Sequence, residues 1–299
     1  MNRLDEILES PFAVFCHDAG AANLIIEWLK DCNLEMKVCM EGPAKEIWKR
    51  NFPNTDLYPL DTVMDDVKTL LSGTGWGELE FIARNKAKNR NIKNIAVIDH
   101  WSNYKERFIK EEQEELPDMI IVSDKYAYQK VELIFPSILV VKLPNHYLAR
   151  VAKKACLHRK KECQKPFENI LIIAEPIREK ISNVNKYKEI ESIDYFINNL
   201  NKIPVHDNQV NINLRLHPSE PFDKYDFIKK KYNNLHIKLD ISRDKELYED
   251  IAWADLVVGM NSFALTVAVN ANVPTMSILP PDSPPCILPY EEIVHLSKL

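Results

Sequence analysis

The chain has 299 residues, of which 45% are hydrophobic and 28% charged, and its formal net charge is -5. This composition is typical of a globular protein, and the length allows two domains. The acidic balance argues against a globally basic nucleic-acid binder. Since no apolar run approaches 18 residues, we expect no membrane span. The N-terminal residues lack a basic stretch followed by an apolar one, so we also expect no secretory signal.

The six cysteines form no C-x-x-C pair, which indicates reduced thiols in a cytoplasmic protein. Cys156, His158 and Cys163 lie close together in sequence, but their spacing fits no standard zinc pattern. We therefore expect no metal site in this part of the chain.

Glycine is scarce: only six of the 299 residues are glycine, whereas glycine makes up about 7% of an average protein. Five of the six lie in three short segments, each placed after an apolar run and before a helical pattern: Gly20, then Gly73, Gly75 and Gly77, then Gly259. Glycine is needed where φ is positive or where another group approaches the backbone closely. These three turns are therefore the first candidates for a functional site.

In the first half of the chain, short apolar runs alternate with amphipathic stretches. The predicted strands are Phe12–Cys16, Lys37–Met40, Val67–Leu71, Asn94–Ile98, Met119–Val122 and Ile138–Lys142. Helices are predicted from Leu24, at Ala44–Asn51 and at Glu78–Asn89. Strands that alternate with helices predict a parallel sheet. We assign residues 1–150 to an N-terminal Rossmann-like domain on the acceptor side.

Residues 151–168 are predicted to be a basic linker, because Arg150–Lys165 carries seven Lys and Arg residues and few apolar ones. A solvated helix face with a hinge explains this composition. A patch that faces phosphate or a lipid surface is the alternative.

The same pattern then restarts and predicts a second domain. Its strands are predicted at Asn169–Ile173, Val210–Leu216, His236–Leu239, Leu256–Val258 and Val273–Ile278. Its helices are predicted at Ile190–Leu200, Pro221–Tyr232, Leu247–Trp253, Phe263–Asn270 and, as a closing amphipathic helix, Tyr290–Leu299. Residues 169–299 are thus a C-terminal Rossmann-like, nucleotide-binding domain. The fold class is α/β, with two Rossmann-like domains that face each other across a cleft.

Polar motifs follow the first-half strands, and ligands of parallel sheets bind at that edge. The turn His17–Asn23 opens the first helix, and Ser72–Gly77 follows the third strand. Neither segment is a G-x-G-x-x-G or Walker A loop. An N-cap role for Asp18 and a tight turn at Ser72–Gly77 remain the structural alternatives. The candidate residues for the acceptor or sugar side are His17, Asp18, Gly20, Asn23, Ser72, Gly73, Thr74 and Trp76.

The segment Asp99–Tyr104 places an acid, an imidazole, an indole and a phenol at one strand end. Asp99 or His100 is a candidate general base, since histidine titrates near neutral pH. Trp101 and Tyr104 are candidates for stacking on a sugar. The alternative is a packed aromatic corner that contains a structural histidine.

In the second half, the candidates are groups that suit phosphate. Arg215 and His217 share a face at a strand end, and Pro218 biases His217 toward an extended backbone. Gly259, Asn261 and Ser262 form a turn before a helix, whose N-terminus carries free N–H groups and partial positive charge.

These second-half motifs resemble the nucleotide-binding domain of GT-B glycosyltransferases. More narrowly, they resemble bacterial capsule and lipopolysaccharide enzymes with an H-P motif and a serine-containing turn, a group of sialyl-, polysialyl- and Kdo-transferase-like proteins and glycerophosphotransferases. The matching segments are Arg215–Pro218, Gly259–Leu265 and Val273–Thr275. The resemblance implies that His217 and Ser262 hold the nucleotide phosphate. It also implies that an acid at the position of Asp99 is the base, although His100 and Trp101 replace the second acid and the glycine of that motif.

We therefore expect a cytoplasmic glycosyltransferase that transfers a sugar from a CMP- or UDP-linked donor to a glycan acceptor in surface-polysaccharide biosynthesis. No D-x-D motif is present, so we expect no obligatory metal or other cofactor. The expected partners are the donor and the acceptor, with peripheral membrane contact allowed and no nucleic acid.

Two alternatives stay open. One is a nucleotide-sugar 2-epimerase or hydrolase on the same fold, although such epimerases carry a D-S-G-G turn where this chain has Gly259-Met-Asn-Ser262. The other is a non-catalytic nucleotide- or glycan-binding protein.

Overall fold

The computed structural model describes residues 4–160, 162–175, 189–217, 220–221 and 223–299. Pro218 of the H-P motif lies outside these residues. The chain divides into two compact units, Met1–Tyr147 and Leu148–Leu299, called unit 1 and unit 2 below.

Unit 1 is a doubly wound α/β unit. Its elements are β1 (Phe12–Cys16), α1 (Ala19–Leu29), β2 (Met36–Met40), α2 (Gly42–Asn51), β3 (Thr69–Ser72), α3 (Leu79–Asn89), β4 (Lys93–Val97), β5 (Ile109–Lys110), β6 (Gln113–Glu114), β7 (Met119–Val122), α4 (Lys125–Ile134) and β8 (Leu139–Lys142). Six parallel strands form one sheet in the order β2-β1-β3-β4-β7-β8, while β5 and β6 form a small antiparallel hairpin. The strand order reverses between β1 and β3, which is where such sheets bind ligands.

The apolar run of β1 explains its central place in this sheet. All five of its residues are fully buried, as expected of a parallel strand covered by helices on both faces. Ala21, Ala22, Ile25 and Ile26 of α1 pack in the same core cluster as alternate residues of β1. The rigid strand and helix therefore hold the turn between them, which carries the first group of candidate residues.

Helix α5 (His146–His158) begins at the end of unit 1 and continues into unit 2. It covers much of the segment that we expected to be a linker. Its buried residues are Leu148, Val151, Ala152 and Ala155, which have the i, i+3, i+4, i+7 spacing of an amphipathic helix. The basic residues between them obscured this apolar stripe in the sequence.

Unit 2 repeats the architecture with another strand order. Its remaining elements are β9 (Asn169–Ile173), α6 (Glu189–Asn198), β10 (Val210–Arg215), α7 (Asp226–Tyr232), β11 (Ile237–Ser242), α8 (Leu247–Trp253), β12 (Leu256–Gly259), α9 (Phe263–Asn270), β13 (Thr275–Ser277) and β14 (Ile293–His295). The order β11-β10-β9-β12-β13-β14 is parallel throughout and reverses between β9 and β12. The prediction of two Rossmann-like α/β domains is thus confirmed.

The predicted closing helix at Tyr290–Leu299 is wrong. Residues Ile293–His295 form the edge strand β14, which pairs with β13, and a short 3-10 helix follows at Leu296–Lys298. Ile293 and Leu296 are buried at a spacing that suits a helix, but the open edge of the sheet offers backbone hydrogen bonds to an extended segment. Within the described parts of the chain, no helix is long and apolar enough to cross a membrane.

Candidate functional site

The carboxyl ends of β1, β3 and β4 bring the first group of predicted residues together. The backbone N–H of Trp76, after β3, donates to Asp18 Oδ2, after β1, at 3.1 Å. Asp99, after β4, packs its carboxyl group against Gly20 in the first turn of α1. Residues from three separate turns thus form one cluster at the strand-order reversal of unit 1.

The glycines of unit 1 make these close approaches possible. A Cβ at Gly20 would lie 1.8 Å from Asp99 Oδ2, and a Cβ at Gly42 would lie 2.6 Å from His17 Nε2. Gly42 also has a positive φ of 49°, which side-chain-bearing residues rarely adopt. The other glycines of unit 1 contact the same edge through Asp18, Glu80, Cys16 or His17: Gly73, Gly75 and Gly77.

His17 and Asp18 form a hydrogen-bonded pair at the centre of this cluster. His17 Nδ1 lies 2.7 Å from Asp18 Oδ1, and the two side chains are 33% and 35% exposed. Asp18 occupies the N-cap position of α1, but within the described structure its side chain makes no capping hydrogen bond to that helix. An ionised Asp18 that accepts the Nδ1 proton leaves His17 Nε2 as a proton acceptor. The pair is therefore suited to general base chemistry.

Glu80 and Arg84 of α3 are functional candidates that the sequence analysis missed. Glu80 is buried and accepts the His17 backbone N–H at 2.8 Å through Oε1, and burial raises the pKa of its carboxyl group. Arg84 is buried as well, donates to Gly73 O, and has its pKa lowered by burial to about 10. Both residues lie one position after an apolar residue of α3, at the border of the buried stripe, which was the available signal.

Asp99 is held in a partly buried ion pair with Arg107. Its Oδ1 accepts a hydrogen bond from Arg107 Nη1 at 2.9 Å, and Arg107 also donates to Thr74 O and Oγ1. Arg107 therefore occupies Oδ1 of Asp99, and Oδ2 packs against Gly20. The geometry favours a structural role for Asp99, which fixes α1 and the turn after β3.

The aromatic residues after β4 are mostly buried. Trp101 and Tyr104 are only 6% and 4% exposed, and Trp101 Nε1 donates to Asp124 Oδ2 at 2.9 Å. His100 Nδ1 lies 3.0 Å from Ser102 Oγ. This arrangement favours the packed aromatic corner. Trp76 is more accessible at this edge, and Cζ of the Arg107 guanidinium lies 6.0 Å from the centroid of its ring.

Three other residues of the predicted set differ in accessibility. Ser72 and Thr74 are buried, and Thr74 Oγ1 donates to Val97 O at 3.0 Å, which ties the turn after β3 to β4. Asn23 lies within α1 and is partly exposed.

In unit 2, an internal carboxylate occupies the place that was predicted for phosphate. Glu175 follows β9, and its Oε1 accepts the backbone N–H of Asn261 before α9 at 2.5 Å. Burial raises the pKa of Glu175 to about 7, although the backbone hydrogen bonds oppose this shift. Ser262 is the N-cap of α9 and accepts the Ala264 N–H. Glu175 was missed as a candidate, although it directly follows an apolar strand.

Arg215 and His217 have different surroundings at the end of β10. Arg215 forms an ion pair with Asp250, which is 1% exposed, and donates to Lys245 O, so its charge stabilises the fold. His217 lies two residues beyond the strand and is partly exposed. Since β10 is the neighbour of β9, His217 and Glu175 lie at the same edge of the sheet.

Gly259 is the last residue of β12 and lies close to the backbone of β9 and to a side chain of α9. A Cβ there would lie 3.3 Å from Ile173 O and from Leu265 Cδ2. Asn261 is fixed by its side chain, because its Oδ1 accepts the Ile287 N–H at 2.9 Å. For the residues that the structure describes, no group of three or more His, Cys, Asp or Glu side chains is placed to hold a metal ion.

No family model and no curated protein matches the chain. Among solved structures, it is similar to UDP-GlcNAc 2-epimerase from Neisseria meningitidis bound to UDP-GlcNAc, with 14% identity, a TM-score of 0.62, and coverage of 91% of this chain and 83% of that chain. It is also similar to a putative UDP-N-acetylglucosamine 2-epimerase from Listeria monocytogenes, with 12% identity, a TM-score of 0.54, and coverage of 89% of this chain and 78% of that chain. For MurG from Acinetobacter baumannii the identity is 11%, the TM-score is 0.51, and the coverage is 91% of this chain and 80% of that chain. These similarities confirm the predicted GT-B fold. The narrower sialyl- and Kdo-transferase resemblance stays a prediction.

Proposed function

We propose that the protein is a glycosyltransferase that transfers a sugar from a CMP- or UDP-linked donor to a glycan acceptor in surface-polysaccharide biosynthesis. One observation carries the proposal: the partly exposed His17–Asp18 pair lies at the strand-order reversal of unit 1. A transfer to a hydroxyl group needs a base of this kind, whereas a protein that only binds ligands does not.

In this mechanism, His17 Nε2 removes the proton from the acceptor hydroxyl as its oxygen attacks the sugar. The Asp18 carboxylate stabilises the imidazolium that forms, and Glu80 fixes the His17 backbone. A positioned base contributes about 10²–10⁴-fold in rate. His17 replaces Asp99 and His100 as our proposed base, because Asp99 is paired with Arg107.

Unit 2 binds the nucleotide side of the donor in this proposal. His217 and the backbone N–H groups before α9 stabilise the charge that develops on the leaving phosphate. Glu175 accepts one of those N–H groups in the free protein, and a carboxylate repels a phosphate. Nucleotide binding therefore requires that Glu175 be protonated or displaced, which predicts tighter binding at lower pH.

The alternatives are separated by the products formed with and without an acceptor. Purified protein is incubated with CMP- and UDP-linked sugars, with and without a panel of oligosaccharides, in buffer containing EDTA. We expect release of the nucleotide only when an acceptor is present. A changed or hydrolysed sugar without an acceptor would identify an epimerase or hydrolase. Thermal stabilisation by nucleotides without any product would identify a binding protein.

A pair of histidine variants tests the proposed base. His17→Asn removes the proton acceptor and is expected to lower kcat by about 10²–10⁴-fold. His236→Asn is the matched control, because His236 is exposed and belongs to neither site. Equal loss in both variants, or no loss in His17→Asn, would contradict the assignment.

A further inference from the structure

The outward side of helix α5 carries charge of one sign. The apolar stripe of this helix is buried, and its sequence contains no Asp or Glu. The line of the helix continues for a residue beyond its end, because the Arg159 N–H still donates to Ala155 O. We use the name α5 face for the exposed residues Lys153, Lys154, Leu157 and Lys160.

The whole segment around the α5 face is basic. Arg150–Lys165 contains seven Lys and Arg residues and a single acid, Glu162. A helix face that is merely solvated usually carries both signs of charge. The net charge of the chain is -5, but exposed charges more than about 8 Å apart are largely screened at physiological ionic strength. A partner at this face therefore meets the local positive charge and not the chain average.

Helix α8 packs beside the α5 face without removing its charge. Lys154 Nζ lies 5.1 Å from the centroid of the Tyr248 ring, a contact that leaves the ammonium group positive. Glu249 follows Tyr248, but its carboxylate is engaged in its own helix, because Oε2 accepts the Glu246 N–H at 2.9 Å. The lysines of the α5 face thus lie next to an aromatic surface.

Apolar side chains accompany these cations. Leu157 is 73% exposed and lies between the lysines of the α5 face. Trp253, at the end of α8, is also exposed and adjoins the segment after α5, because Ala254 O accepts a hydrogen bond from Cys163 Sγ. Lysines around an exposed leucine, with a tryptophan nearby, are typical of surfaces that rest on lipid headgroups. A nucleic-acid backbone has no use for Leu157, so the composition favours a bilayer.

From these observations we propose that the α5 face docks on an anionic lipid bilayer, with its three lysines at the headgroup phosphates and Leu157 in the boundary with the acyl chains. The proposal uses no residue of the candidate site in unit 1 or of the phosphate turn in unit 2. It therefore does not depend on the proposed function.

Sedimentation of the full chain with phosphatidylcholine vesicles, with and without phosphatidylglycerol, tests the proposal. A lysine near an anionic surface strengthens binding by about fivefold, so three lysines should raise the partition coefficient by about 10²-fold when phosphatidylglycerol is present. Because salt screens this attraction, the difference between the two kinds of vesicle should shrink as sodium chloride is added.

A pair of double variants locates the interaction on the α5 face. Lys153→Gln combined with Lys160→Gln should lower the partition coefficient by about 25-fold. Lys230→Gln combined with Lys238→Gln is the matched control, because it removes the same charge from exposed positions of α7 and β11. The control should stay within about twofold of the wild type. All four positions are exposed, so both variants are expected to fold.

A leucine variant tests the apolar part of the contact. Leu157→Ala should lower the partition coefficient by about fourfold for each CH₂ group that enters the boundary, by a similar factor at each salt concentration. Leu235→Ala is the matched control, since Leu235 is 89% exposed and lies outside the α5 face. It should leave the partition coefficient unchanged.

Fluorescence anisotropy with a labelled DNA duplex separates a bilayer from another polyanion. We expect weaker binding to the duplex than to phosphatidylglycerol vesicles. Binding to the duplex alone, with loss in Lys153→Gln combined with Lys160→Gln, would assign the α5 face to nucleic acid and overturn the proposal. The proposal is also overturned if phosphatidylglycerol does not increase sedimentation, or if the two lysine double variants lose binding equally.

Discussion

Replacing Gly20 with alanine tests the packing that brings the unit 1 cluster together. The new Cβ would lie 1.8 Å from Asp99 Oδ2, whereas ordinary contact begins at 3.4 Å. Asp99 must therefore move, which loosens its partly buried 2.9 Å pair with Arg107. Overpacking costs about 1–3 kcal/mol and the loosened pair adds to this cost, while alanine gains about 1 kcal/mol in helix propensity. We expect a net loss of about 1–3 kcal/mol in the free energy of unfolding.

Urea unfolding followed by circular dichroism measures this loss, and the transition of unit 1 should shift. Gly77→Ala is the matched control, because its Cβ would lie 3.4 Å from His17 Cγ, an ordinary contact. In an Asp99→Ala background the clash is absent, so Gly20→Ala should then cost nothing or stabilise slightly. The reasoning is refuted if Gly20→Ala is as stable as the wild type, or if its cost is the same in both backgrounds.

Three further predictions concern the charged groups of the two units. Because burial raises the pKa of Glu175 from 4.5 to about 7, the folded state binds this proton more tightly than the unfolded state. The free energy of unfolding should therefore decrease as the pH rises from about 4.5 to about 7. In urea titrations at several pH values, Glu175→Gln should make this decrease smaller. Arg215→Ala leaves the buried Asp250 unpaired and should cost about 3–5 kcal/mol in urea unfolding, a loss that Asp250→Leu should partly restore. Asp18→Asn should lower kcat of the acceptor-dependent reaction by about 10²–10⁴-fold while leaving nucleotide affinity unchanged; a loss of affinity would contradict its place on the acceptor side.

The strand pattern of the chain was predictable because parallel strands are nearly continuous apolar runs. The strand at Asn169–Ile173 and the helices Leu247–Trp253 and Phe263–Asn270 were predicted at the bounds that the structure shows. The end of the chain was mispredicted, because pairing at a sheet edge depends on a partner strand that local spacing does not reveal. Helix α4 was missed, although Asp124 caps it through two backbone N–H groups.

The candidate site was only partly predictable, for a different reason. Glycine scarcity pointed to the turns that now lie at the strand ends, and it located His17 and Asp18. Glu80, Arg84 and Glu175 were missed, because a charged residue in a sequence is normally assigned to solvent. Their burial follows from tertiary partners far along the chain, as when Glu80 accepts the N–H of His17.

The placement of the glycines has a consequence for how this chain tolerates mutation. Outside the two strand-end edges, left-handed backbone positions are taken by other residues, including Asp66, Asn91, Glu111 and Asn272. Asn and Asp adopt the left-handed region more readily than other side-chain-bearing residues, so glycine is not required at Asp66, Asn91 and Asn272. Backbone freedom is thus concentrated where side chains must meet the main chain. In a library of random substitutions, the glycine positions at which a substitution lowers stability should therefore all lie at the two strand-end edges.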